Sequence, residues 1–204
     1  MASNSRAAVR DEVVSFDSEE LILVNENDEE VGHLDKSSCH DGDGVLHRAF
    51  SLFIFNARGE LLLQQRSGEK RLWPRYWSNS CCSHPRRGES MEQAIHRRLH
   101  QELGVDAELE HLFKFQYTAQ YEDAGSEREL CWVYAGRTDA QPEVNRAEIE
   151  AWRFVSAKTL EAELDASPGR FTPWFKMEWQ RITKEFTGEI ARLQSLVPSA
   201  RPPL

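Results

Sequence analysis

Residues 83–105 read SHPRRGESMEQAIHRRLHQELGV. Met91, Ile95, Leu99 and Leu103 recur every four residues, which lays an apolar stripe along a helix. Ser90 stands three residues before Gln93, the spacing of a capping box, and Gly104 falls where a glycine ends a helix. The pattern predicts a helix over 89–103, entered from a loop. Arg98 and Glu102 are four apart on a second face. Glu89 at the helix start suits the helix dipole. A loop–helix with acids at both ends also suits a diphosphate held through magnesium, which takes oxygen ligands and shares them with phosphates.

Strand patterns surround this helix. Glu20–Val24 reads as a strand, Asn25–Asp28 as a turn and Glu29–His33 as a returning strand. Asp35–Asp43 reads as a polar loop. Ala49–Phe55 is a strong strand, Asn56–Gly59 a turn and Glu60–Gln65 the partner strand of a hairpin. Ser67–Tyr76 is a loop. Two more strands are expected around 112–121 and 130–135, and a short one at Trp152–Val155. Ser156 begins a helix, and Pro173 opens a last helix running towards Leu193. Strands come first with helices interspersed, which is an α+β class or a layered α/β/α arrangement. The expected division is a loose leader over 1–16, one domain over 17–195 and a loose, Pro-rich tail over 196–204.

The 204 residues are 40% apolar and 29% charged, a composition that can bury a core. No apolar run approaches the roughly 20 residues of a membrane span. The first 15 residues lack the apolar stretch of a secretory signal. A cytoplasmic, monomeric protein with no membrane partner is the expectation. Lys plus Arg number 25 against 34 Asp plus Glu, a net charge of −9 that repels nucleic-acid backbones. Cys39, Cys81, Cys82 and Cys131 form no C-x-x-C pair and read as reduced thiols.

His40, His47, His84, Glu127 and Glu129 are candidate metal ligands. Glu127 and Glu129 share a face if their stretch is extended. Three imidazoles with two carboxylates suit a transition metal such as manganese, iron or zinc. Lys36, Arg66, Lys70, Arg71 and Arg98 lie near the same loops and suggest an anion pocket in an acidic chain. Each of these residues alone has an ordinary structural reading.

The loop–helix resembles a degenerate Nudix box, G-x5-E-x7-R-E-U-x-E-E-x-G-U with U apolar. Ser83 replaces the first Gly, Arg98 the second Glu and Gln101 a later one, whereas Glu89, Arg97, Leu99, Glu102 and Gly104-Val105 fit. Loss of clustered carboxylates speaks against a pyrophosphohydrolase. Over roughly Leu21 to Phe186 the chain is similar to type 1 isopentenyl-diphosphate isomerases. The resemblance rests on Leu46–Ser51, Leu61–Arg66, Trp73-Pro74, Trp77–Pro85, Glu127-Arg128-Glu129 and Thr172–Phe175. It implies a Nudix-type α/β/α sandwich with a mixed sheet and extra N-terminal strands.

The resemblance also implies a substrate, isopentenyl diphosphate, and roles for particular residues. Cys82 and Glu129 would move protons on opposite sides of the substrate, with Tyr117 beside Glu129 and Trp174 facing the hydrocarbon. His40, His47, His84, Glu127 and Glu129 would hold one Mn2+ or Zn2+. Glu102, helped by the Cys82 carbonyl, would hold a diphosphate-bound Mg2+. Lys36, Arg66, Lys70 and Arg98 would surround the diphosphate. A Nudix hydrolase and a non-enzymatic ligand sensor are the rival expectations. The first predicts phosphate or nucleotide release, the second binding without product.

Overall fold

The computed structural model describes residues 11–195, so residues 1–10 of the expected leader and the whole expected tail lie outside the described residues. Strands β1 (Glu20–Val24) and β2 (Glu30–Asp35) pair antiparallel. Asn25 Oδ1 closes their turn by accepting from the N–H groups of Asn27 and Glu29. The segment after β2, expected to be all loop, starts with a short helix α1 (Lys36–Cys39). The Asp35 carboxylate caps it by accepting from the Ser38 N–H at 2.9 Å. That cap is a single Asp in a polar run, which carries no periodic signal.

Strand β3 (His47–Phe55) is the axis of the sheet and is buried on both faces from Ala49 onward. Its long apolar run needs partners on both edges. On one edge it pairs in parallel with β8 (Gly125–Arg137), from His47 opposite Glu129 to Phe55 opposite Arg137. On the other edge it meets β1, then β6 (Cys81–Ser83) and then β4 (Leu61–Arg66). The expected β3–β4 hairpin therefore has one ladder pair, Phe55 with Leu61. Buried Ser80 wedges between the two strands: its hydroxyl accepts from the Ile54 N–H at 2.8 Å and donates to the Leu62 carbonyl at 2.6 Å. β4 runs instead with β9 (Ile149–Val155) and briefly with β5 (Trp77–Ser78).

β7 (Leu109–Tyr121) and β8 form a long hairpin whose strands extend well past the predicted ranges and include Glu127 and Glu129. The turn is anchored at Gly125. A Cβ there would lie 2.2 Å from the His40 carbonyl, and φ is 137°. Only glycine lets β8 approach α1 so closely.

Helix α2 (Met91–Leu103) has the Ser90–Gln93 capping box and ends on Gly104 at φ 63°, as its spacing predicts. Ile95, Leu99 and Leu103 pack on Phe50, Leu52, Ile54 and Cys81 on one face of the sheet. After α3 (Ala157–Ala166) and a short 3-10 turn (Pro168–Arg170), α4 (Pro173–Glu185) covers the opposite face. There Trp174, Phe175, Trp179 and Ile182 meet Ala49, Phe53, Cys131 and Val133. The single last helix expected from Pro173 to Leu193 is two, α4 and α5 (Thr187–Ser195). Phe186 breaks it: its ring stacks on Phe113 at 5.1 Å, and Thr187 and Gly188 beyond it are weak helix formers.

The result is a helix–sheet–helix sandwich with a mixed sheet and an added N-terminal hairpin, the fold class expected. Residues 11–16, expected to be loose, lie against the domain instead. Asn145 Nδ2 donates to the Glu12 carbonyl at 2.7 Å, and Arg98 Nη1 donates to the Val14 carbonyl at 2.9 Å. Backbone carbonyls make these contacts, so the sequence gives no hint of them. Among the described residues no helix is long and apolar enough to cross a membrane.

Candidate active site

A cavity of about 450 Å3 opens between α1, the start of β3, β6, β8 and the N-terminus of α4. Its first wall is made of imidazoles and carboxylates. His40 follows α1, His47 starts β3, His84 follows β6, and Glu127 and Glu129 sit two apart on β8. One ligand atom from each lies within 4.8 Å of all the others. The His rings pack at centroid distances of 4.8 to 5.3 Å. His84 Nε2 is 2.8 Å from Glu129 Oε1, and His40 Nε2 is 2.9 Å from Glu127 Oε2.

Main-chain carbonyls orient two of these rings. His40 Nδ1 donates to the Lys36 carbonyl at 2.6 Å and His47 Nδ1 to the Val45 carbonyl at 2.7 Å, which turns each Nε2 lone pair inward. His47 Nε2 is buried without a hydrogen-bond partner among the described residues, and Glu127 Oε2 faces the lone pair of His40 Nε2, which cannot donate to it. Buried polar atoms are costly unless satisfied, so this donor set fits a divalent transition metal ion. Burial alone would push the Glu127 and Glu129 carboxyls up, but His40 beside Glu127, and His47 and Tyr117 beside Glu129, hold them below the ordinary range. Burial, reinforced by His47 and His40, pushes His84 well down, so it stays neutral and able to ligate.

Cys82 lines the same cavity. Strand alternation separates the two adjacent cysteines. Cys81 faces the α2 core at 0% exposure, and Cys82 faces the cavity and the α4 side. Burial pushes the Cys82 thiol up to about 12 against the opposing pull of Arg66, whose Nη1 lies 3.9 Å from Sγ. The Arg66 guanidinium also sits 5.3 Å over the Trp174 ring, and it is held by the carbonyls of Leu72 and Trp73. Tyr117 lies across the β7–β8 ladder from Glu129, and its hydroxyl donates to Glu129 Oε2 at 2.6 Å. Tyr117 and Trp174 have ring centroids 6.2 Å apart.

The basic end holds Lys36, Lys70 and Arg98. Arg98 Nε donates to Glu102 Oε1 at 3.0 Å, and its Nη2 lies 3.3 Å from Glu148 Oε2. Glu148 also pairs with Lys70, and Lys36 hydrogen-bonds the Ser15 hydroxyl. Glu148 is 3% exposed, and although burial opposes it, Lys70 and Arg98 hold its carboxyl down at about 2. Burial, with Lys70 and Arg98 nearby, pushes Lys36 down to about 8.

The cavity brings together Lys36, His40, Arg66, Lys70, Cys82, His84, Arg98, Tyr117, Glu127, Glu129 and Trp174. Arg71, the remaining cation of the sequence set, also lines it and pairs with Asp41. His47 and Glu102 stand just behind its lining. Sequence reasoning missed Glu148, whose role follows only from two cations converging on it. It also assigned nothing to Asn79, which ties β6 to α4: its amide donates to the Cys81 carbonyl at 2.7 Å and its Oδ1 accepts from Trp174 Nε1 at 3.2 Å. The Asn-x-Cys-x-x-His-Pro spacing of residues 79–85 is the signal that carries it.

The family model of the NUDIX domain matches residues 45–175. The isopentenyl-diphosphate Delta-isomerase 1 of Photorhabdus laumondii is 45% identical over 166 residues, 80% of this chain and 94% of that protein. The isopentenyl-diphosphate Delta-isomerase of Pectobacterium atrosepticum is 41% identical, over 80% of this chain and 90% of its own length. The chain belongs to the isopentenyl-diphosphate Delta-isomerase family, within the Nudix fold. Among solved structures, DR0079 from Deinococcus radiodurans superposes with a TM-score of 0.62 at 24% identity, over 86% of this chain and 99% of that one. The MutT protein of Methanosarcina mazei does so with a TM-score of 0.56 at 19% identity, over 70% and 96%. These two likenesses bear on the fold alone. For this family member the departures from the Nudix box have a local meaning: Arg98, in place of a carboxylate, is the hub joining Glu102 to Glu148.

Proposed function

We propose that this protein interconverts isopentenyl diphosphate and dimethylallyl diphosphate, moving a double bond through a tertiary carbocation. The observation that carries the reading is that Cys82 and Glu129 open into one cavity, with Trp174 and Tyr117 beside them and cations at one end. Family membership points the same way.

The reaction adds a proton to the terminal methylene carbon and removes one from the CH2 that joins the tertiary carbon to the CH2–O of the diphosphate arm. An acid and a base must therefore face each other across a five-carbon chain. In our reading the Glu129–Tyr117 side delivers the proton and Cys82 Sγ removes one. The free protein holds the reverse pair, a thiol at Cys82 and a carboxylate at Glu129. Transfer of one proton from Sγ to the Glu129 side gives the working pair, and Arg66 is the cation that favours the thiolate. The Trp174 ring face would stabilise the carbocation by about 2 kcal/mol once water is excluded. Lys36, Lys70, Arg66 and Arg98 would bind the diphosphate and fix the chain between the two proton-transfer groups.

His40, His47, His84, Glu127 and Glu129 would hold one manganese or zinc ion. Glu102 and the Cys82 carbonyl would hold a magnesium ion shared with the diphosphate. Buried oxygen donors of the required type stand at that end in Glu102 and Glu148. When bound, these ions supply positive charge that offsets the buried carboxylates and the diphosphate.

The test is to load the purified protein with magnesium and with manganese or zinc, confirm the metal content, and supply isopentenyl diphosphate. Dimethylallyl diphosphate is the expected product. Metal-loaded protein that makes none sinks the reading, and release of inorganic phosphate or pyrophosphate would favour a hydrolase.

A further inference from the structure

Glu178 lies on α4 at 0% exposure, outside the cavity lining, and the reaction outlined above does not use it. Its Oε1 accepts from Cys131 Sγ at 3.6 Å. Cys131 Sγ is in turn 3.5 Å from Ser51 Oγ. Glu178 Oε2 has no hydrogen-bond partner, and among the described residues no cation pairs with the group.

Sheet geometry places this cluster directly behind the reacting thiol. Ser51 on β3 is the ladder partner of Cys82 on β6. Directly opposed residues of an antiparallel pair point to the same face with their Cβ atoms about 5 Å apart. Ser51, Cys131 and Cys82 thus share the α4-facing side, and Glu178 descends onto it from the helix. A carboxyl taken fully from water without a cation is far more stable as the neutral acid. Burial does push Glu178 up, to about 8, with Glu129 adding to the effect and Ser51 and Cys131 opposing it.

We infer that Glu178 is a positioning residue for the reaction, a neutral acid that fixes Cys131 and, through it, Ser51 as an uncharged floor beneath Cys82. The inference rests on the proposed roles of Cys82 and Glu129. Its consequence is a charge switch. Once ionised, Glu178 puts an unpaired charge into that buried floor and breaks it up. The titratable groups facing it are Cys131 and Glu129 on β8 and Cys82 on β6; Ser51 on β3 contributes only a hydroxyl.

Wild type, Glu178→Gln and Glu178→Leu are compared as metal-loaded proteins, with melting temperature and metal content measured for each. The amide keeps the shape and neutrality of the acid. Wild-type kcat is expected to fall above pH about 8. Glu178→Gln should keep KM within about twofold and lose that fall, and Glu178→Leu should lose about tenfold in kcat at pH 7 with KM unchanged. A second readout needs no turnover. Ionising a fully buried acid that no cation pairs with lowers stability, so the melting temperature reads Glu178 directly. From pH about 5 to about 9 the melting temperature of wild type should fall by several degrees relative to Glu178→Gln. If wild type makes no product, the functional reading fails and takes this one with it, whatever the melting temperatures show. If product forms but wild type and Glu178→Gln share one pH profile in both readouts, the role of Glu178 is refuted.

Discussion

Successive residues of β3 and β8 point to opposite faces of one sheet and meet opposite surroundings. Toward α4 the sheet turns His47, Ser51, Glu129 and Cys131, joined by Cys82 from β6 and Tyr117 from β7. Toward α2 it turns Phe50, Leu52, Ile54 and Tyr134, with Leu62 and Cys81 beside them, all closed over by Ile95, Leu99 and Leu103. The α4 face keeps buried polar atoms without partners at His47, Glu127 and Glu178. Such atoms lower stability unless something binds them. The α2 face is dense and apolar, the kind of surface that supplies stability. The difference teaches a division of labour set by strand alternation alone: one face carries chemistry at a cost, and the other offsets that cost.

The largest effect expected from this division is catalytic. Cys82→Ala and Glu129→Gln should each lower kcat by about a thousandfold or more, the scale of losing a positioned proton-transfer group. Neither should lower the melting temperature by more than a few degrees, because Cys82 is only a partly buried member of the α4-side packing and Glu129 lies outside it. Turnover within tenfold of wild type in both variants would break the comparison at its root.

How much of this was legible in the sequence follows from the kind of signal each feature leaves. The α2 helix was readable because capping and a four-residue period are local, and β3 because its apolar run is long. The His/Glu set was readable as a list of types, and the family motifs turned the list into a constellation. Other features leave no local trace. Ser80 as the wedge that splays β3 from β4, the break at Phe186, and carbonyls of residues 11–16 holding Arg98 all depend on what packs where. Glu148 and Glu178 are single acids whose meaning comes only from their neighbours, two cations for one and none for the other.

A smaller effect tests whether the basic end is held under strain while it waits for an anion. Lys36 has a folded-state pKa of about 8 against an ordinary 10.5, chiefly through burial. A lysine depressed in this way disfavours folding below pH about 8, where it must carry its charge in the folded protein. That penalty is relieved as pH rises from about 8 to 10.5. A bound diphosphate reverses the sign by favouring the charged form. KM for isopentenyl diphosphate should therefore climb above pH about 8 in wild type. In Lys36→Met it should already be raised about tenfold at pH 7 and stay flat. A wild-type KM that does not change between pH 7 and 9.5 would show that Lys36 does not meet the phosphate.

The smallest effect is the sharpest, because it concerns the sulfur one residue away from the reacting one. Cys81 has 0% exposure and packs with Phe50, Leu52 and α2. Cys81→Ala removes one buried sulfur from the dense face, which should cost about 1 kcal/mol of stability and leave kcat within about twofold. The thiol comes near the chemistry at one point, the Glu102 carboxyl, whose charge adds to burial in pushing it up. If Glu102 helps to hold magnesium, the variant should need slightly more of it, a shift of about two- to threefold in the half-saturating concentration. A stability scan, a kcat and a magnesium titration on this variant therefore read the two faces separately. A hundredfold loss of kcat would mean that the alternation has been assigned the wrong way round, with the reacting thiol on the α2 side. A loss of stability alone, with a small magnesium shift, would place the boundary between the two faces at a single peptide bond, the one joining Cys81 to Cys82.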